Sequence, residues 1–129
     1  MAVRALVIDD EKIVRERLAG MLLALGYEVA KAASARQGLW LLESESYDLA
    51  LTDASLPELD GWVVARIVRV RWPGVRVLLV TGDGESVELT GESAKLIDGV
   101  IRQPFTLKHI AATLDGALRH SVVSAAGMS

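Results

Sequence analysis

The chain has 129 residues, enough for one hydrophobic core without metals or disulfides, and its 51% hydrophobic and 24% charged composition is that of a globular domain. A net charge of −3 excludes a general electrostatic attraction to nucleic acid or an anionic membrane. With no cysteine there is no thiol catalysis, disulfide or Cys-ligated zinc, and the absence fits a reducing, cytoplasmic setting.

The opening "MAVRALVIDDE" carries too short an apolar run for a signal peptide, and no apolar run nears the roughly 20 residues of a membrane span. A soluble, intracellular domain is expected. Within the opening, "ALVID" (5–9) is a short continuous apolar run ending in aspartate, the pattern of a strand covered on both faces. Val14, Leu18, Met21, Leu22 and Leu25 then share one helical face, and Gly26 follows as a C-terminal stop. "YEVAKA" (27–32) gives a weaker strand, 34–45 a helix, and "DLALTD" (48–53) a second well-marked strand. Residues 60–72 are valine-rich, but their length, the turn-like "LPELDG" before them and "WPG" after them favour a helix. "VRVLLVTG" (75–82) is the third continuous apolar strand. A fourth helix is expected over about 85–97, interrupted by Gly91, followed by a strand at "GVIRQ" (99–103). Leu107, Ile110, Leu114 and Leu118 mark a last helix, and "SVVSAAGMS" (121–129) is expected to be a flexible tail on a domain spanning 1–120.

Five strands and five helices in strict alternation predict an α/β fold, an open parallel sheet with helices on both faces and right-handed crossovers. Such doubly wound sheets bind ligands at the carboxyl ends of their strands. Those ends are polar here: Asp9 and Asp10 close the first strand, Asp53 the third and Thr81 the fourth. Asp10 could serve as a helix N-cap and Asp53 could cap a turn. If the first and third strands are neighbours, however, three carboxylates crowd together, and their repulsion calls for a cation. An all-oxygen ligand set suits a hard divalent ion, and Mg2+ accepts one or two carboxylates while completing its shell with water and phosphate oxygens.

"LVIDDE", "LALTDASLPELDG", "VLLVTG" and "RQPF" resemble, in order and near the family's spacing, the receiver domain of bacterial two-component response regulators, over roughly residues 4–120. The resemblance implies a flavodoxin-like five-stranded sheet of order 2-1-3-4-5. It implies that Asp53 is the phosphoacceptor, and that Asp10, Asp53 and the Ser55 carbonyl bind Mg2+ directly, with Asp9 acting through metal-bound water. Thr81 would donate its hydroxyl to the phosphoryl group. The phosphodonor would be the phosphohistidine of a partner histidine kinase or a phosphotransfer protein. Output would pass to a separate partner or a fused domain, with no nucleic-acid or membrane binding by the domain itself. Such a domain is a signalling phosphoacceptor rather than an enzyme. Ser55 and Asp83, two positions after Asp53 and Thr81, would influence loss of the phosphate to water.

Two positions depart from the family pattern. Where the family has a lysine before the proline, this chain has Gln103. A neutral hydrogen bond contributes about 0.5–1.5 kcal/mol and a charge-assisted one about 1.5–3 kcal/mol, so the substitution weakens the contact roughly tenfold. The neighbouring Arg102 points to the opposite face of an extended strand. A cis Gln103–Pro104 bond is implied. Three positions earlier the family's switch aromatic is replaced by Val100, which has no ring to rotate and one stiff χ1.

Two other functions compete. A pseudo-receiver acting as a phosphorylation-independent interaction module is suggested by Gln103 and Val100. An aspartate-nucleophile phosphatase on a related sheet is disfavoured, because Ser55 stands where such enzymes carry their second aspartate. The apolar surplus of the third helix (Trp62, Val63, Val70, Trp72) reads as packing or a contact surface, and His109 and His120 as solvated helix residues. The glycine-rich "TGDGESVELTGES" lacks a P-loop ending and reads as a mobile loop.

Overall fold

Every strand expected from the apolar runs forms within a residue of its predicted limits in the computed structural model, which describes residues 2–82 and 91–128, with side chains to residue 119. They are β1 (Arg4–Ile8), β2 (Glu28–Ala32), β3 (Leu49–Asp53), β4 (Arg76–Thr81) and β5 (Gly99–Arg102). Between and after them lie α1 (Lys12–Ala24), α2 (Ala35–Ser44), α3 (Gly61–Arg71) and α4 (Leu107–Met128). All strands pair in parallel in the order β2-β1-β3-β4-β5, the expected flavodoxin-like sheet. One expectation changes. Of the helix predicted over about 85–97, residues 83–90, including Asp83, lie outside the described residues, and the rest holds only a 3-10 turn, Ser93–Lys95. Among the described residues there are thus four α-helices rather than five.

The continuous apolar runs are explained by burial on both sides. Ala5 and Val7 of β1, Leu49 and Leu51 of β3, and Leu78 and Val80 of β4 pack with α1 and α4 through Val14, Leu18, Leu22, Ile110 and Leu114. The alternate residues Leu6, Ile8, Ala50, Val77 and Leu79 pack on the other face with Leu42 of α2 and Val64, Ala65 and Val68 of α3. A period of two therefore divides each central strand between two cores.

Local chemistry sets the helix ends. Gly26, at φ 90°, closes α1 with the paired bonds of a Schellman motif, Tyr27 N to Leu22 O at 3.1 Å and Gly26 N to Leu23 O at 3.0 Å. Ser34 caps α2 by accepting from Gln37 N at 3.1 Å, and Asp60 caps α3 by accepting from Val63 N at 2.9 Å. The far edge is fastened by Asp98, which accepts from Val77 N at 2.9 Å and from the Arg69 guanidinium at 2.7 Å. Arg69 also donates to Leu96 O at 3.1 Å, tying α3 to the segment before β5. No helix among the described residues is long and apolar enough to cross a membrane.

Candidate functional site

The strand order brings the carboxyl ends of β1 and β3 side by side, because Ile8 pairs with Thr52. The next residues on each strand are then neighbours, and one carboxylate oxygen from each of Asp9, Asp10 and Asp53 lies within 4.8 Å of the others. Asp9 is buried, Asp53 half-buried and Asp10 exposed, so the group opens to solvent on one side. Short turns hold the side chains. Asp9 Oδ1 accepts from Glu11 N at 2.9 Å, and Asp53 Oδ1 accepts from Ser55 N at 3.0 Å. Ala54 N continues the pairing by donating to Val80 O at 2.9 Å, while its own carbonyl accepts from Gly61 N at 2.9 Å.

Gly61 is a condition of this arrangement. A Cβ on it would sit 2.4 Å from the Asp53 carbonyl oxygen and 2.8 Å from the Ala54 Cα. Only a glycine lets the start of α3 lie directly beneath the Asp53 turn.

Both inner carboxyls are shifted. Burial pushes Asp9 up to about 6; the Glu11 amide and Arg15 pull it down, and the Asp10 and Glu11 charges push it further up. Burial likewise pushes Asp53 up to about 7, opposed by the Ser55 amide and reinforced by Asp9 and by the charge and hydrogen bonding of Asp10. The trio is thus unfavourable as a set of anions and suits a hard divalent cation, which would relieve the repulsion that raises them.

Thr81 closes β4 and is fully buried, and among the described residues its Oγ1 has no hydrogen-bond partner. Gln103 is joined to it through the main chain, Gln103 N donating to Thr81 O at 3.1 Å, and the Gln103–Pro104 bond is cis as expected. Among the described residues the Gln103 side chain makes no hydrogen bond with the trio. Arg102 is exposed beside Phe105 and His109, lining a hollow of about 210 Å³ between β5 and α4 that includes Val100. The described structure therefore gathers Asp9, Asp10, Asp53 and the Ser55 turn, and ties Gln103 to Thr81 through their backbones.

A family model for the response regulator receiver domain matches residues 5–115. The chain belongs to that receiver family. Response regulator MprA of Mycolicibacterium vanbaalenii is 34% identical to the receiver over 122 residues, covering 94% of the chain and 52% of MprA. The receiver thus spans about half the length of that relative. A response regulator receiver domain protein from Clostridium thermocellum superposes with a TM-score of 0.83 at 25% identity, covering 94% of the chain and 98% of the other. Response regulator TrrA of Thermotoga maritima, solved in complex with Mg2+-BeF, gives a TM-score of 0.80 at 27% identity, covering 89% and 98%.

Four supporting residues of the receiver are not evident from its sequence pattern. Arg15 reaches back across the β1–α1 turn to donate to Asp9 O at 2.8 Å, a contact with no periodic signature. Arg69 and Asp98 meet across 29 positions. Gly61 did carry a signal, the Asp-Gly pair opening a helix, although the contact that demands it is visible only in three dimensions.

Proposed function

We propose that Asp53 accepts a phosphoryl group from the phosphohistidine of a partner histidine kinase or phosphotransfer protein, with Mg2+ as cofactor. The carrying observation is the convergence of the Asp9, Asp10 and Asp53 carboxylates at the ends of β1 and β3. Asp9, Asp10 and Asp53, with the main-chain carbonyl of Ser55, would hold the ion. When bound, Mg2+ supplies positive charge against the phosphoryl oxygens and the clustered carboxylates.

A carboxylate oxygen of Asp53 attacks phosphorus while the P–N bond to the donor imidazole breaks. The electron pair of that bond returns to the ring nitrogen, which takes a proton from solvent, and an acyl phosphate remains on Asp53. Thr81, a buried donor without a partner among the described residues, donates a hydrogen bond from its hydroxyl to a phosphoryl oxygen. Gln103 offers an uncharged amide donor in place of the family's lysine, so the anionic phosphoryl group keeps a hydrogen bond but loses the ion pair with an ammonium. The reaction marks the domain for readout by a partner or fused domain.

The test is labelling with Mg2+ and a small phosphodonor such as acetyl phosphate. A hydroxylamine-sensitive, acid-labile label is expected on the wild type and none on Asp53→Asn; a label surviving that substitution overturns the assignment. Gln103→Lys is expected to slow loss of the label about tenfold, the effect of replacing an uncharged donor to the phosphoryl group by a charged one. A second reading, a phosphorylation-independent interaction module, draws on Gln103 and Val100. It is supported if wild type and Asp53→Ala bind the same partner equally and neither takes a label.

A further inference from the structure

Arg15 lies in the first turns of α1, and its Nη1 donates to the main-chain oxygen of Asp9 at 2.8 Å. Among the described residues, the other paired cations of the sheet region face elsewhere. Arg4 is engaged with Glu45, Lys31 with Glu16, Arg69 with Asp98 and Arg71 with Glu43. Arg15 is the guanidinium among them that reaches the main chain of the acidic turn.

The atom it grips matters. The Asp9 carbonyl and the Asp10 amide belong to one planar peptide unit, so holding that oxygen restricts the rotation of the peptide that joins the two aspartates. On the other side of the turn Asp9 Oδ1 is held by the Glu11 amide. The guanidinium suits the task, being permanently charged and carrying several rigidly disposed donors. We propose that Arg15 is a positioning residue that clamps the Asp9–Asp10 peptide and keeps both carboxylates turned toward Asp53 before any divalent ion arrives. This rests on reading the trio as a divalent-ion site.

Two effects oppose each other. A fixed cation beside the site repels an incoming ion, whereas a clamped turn spares the ion the work of gathering its ligands. The clamp is expected to dominate, because the bond is charge-assisted and partly buried, while an exposed Asp10 leaves the site open to solvent that screens the repulsion.

The experiment titrates Mg2+ calorimetrically into the full chain as wild type, Arg15→Met and Arg15→Lys, and follows hydrogen exchange of the Glu11 amide without metal. Arg15→Met is expected to bind Mg2+ about tenfold more weakly, the effect of losing a charge-assisted hydrogen bond, and to exchange the Glu11 amide faster by a similar factor. Arg15→Lys, which keeps the charge and one flexible donor, is expected to recover part of the loss, lying between Arg15→Met and wild type. Unchanged or tighter Mg2+ binding by Arg15→Met overturns the proposal, leaving Arg15 as a nearby charge. Equal losses in both variants with a matching fall in Tm also overturn it, assigning Arg15 to the general stability of α1. Should the wild type take up no Mg2+, the divalent-ion reading fails by itself, and Glu11 exchange alone decides the clamp.

Discussion

Asp53 and Asp9 hold their protons to about pH 7 and about pH 6, where an unfolded chain releases them near 4. The sign of the consequence follows from linkage. A carboxyl whose folded-state value is raised contributes stability that is full below about pH 4 and is lost as the pH climbs through 6 and 7. Solvent screens the half-exposed Asp53, so the loss is about 1–2 kcal/mol rather than the whole shift. In EDTA, urea unfolding at pH 5 and pH 8 is expected to show Asp53→Asn gaining that amount over wild type at the higher pH. Millimolar Mg2+ should erase the gain. Identical pH profiles for the two proteins would show that neither burial nor its acidic neighbours raise Asp53. Much of this was legible from the sequence, since Asp9, Asp10 and Asp53 close apolar runs and meet once the first and third strands are neighbours. Which carboxylate is most raised was not legible, because burial and two backbone amides set it.

At the scale of elements, the apolar runs located the strands well because buried parallel strands have no polar face to confuse the pattern. The valine-rich α3 resolved as a helix for a reason its composition hides. Asp60 caps it, and Val64, Ala65 and Val68 lie on one face while Val70 stands 76% exposed on the opposite one. Its first residue makes the strongest demand. Gly61→Ala places a methyl against the Asp53 carbonyl and the Ala54 backbone, neither of which can swing away. Helix propensity alone predicts stabilisation by almost 1 kcal/mol. The expected result is the reverse, a loss of about 1–3 kcal/mol in urea unfolding, typical of overpacking, together with slower phosphoryl labelling. A stabilised Gly61→Ala with unaltered labelling would remove α3 from the support of the site.

Across the whole molecule, the Arg69–Asp98 pair joins α3 to the β4–β5 edge, with Asp98 also satisfying Val77 N. Asp98→Ala would strand a guanidinium and an amide together in a largely buried place. A loss of about 2–3 kcal/mol is expected, and Asp98→Asn, which keeps an acceptor, should recover part of it. Equal losses in the two variants would mean that the charge, and not the acceptor for Val77, is what counts. Nothing in the sequence announces this fastening, since its members belong to different elements and obey neither helical nor strand spacing. The alternation within β4 has a wider consequence. Val77 and Leu79 are rooted in one core while Leu78 and Val80 are rooted in the other. The strand that ends at Thr81 is thus embedded on both sides, so a displacement of its tip would have to be absorbed by two separate cores at once.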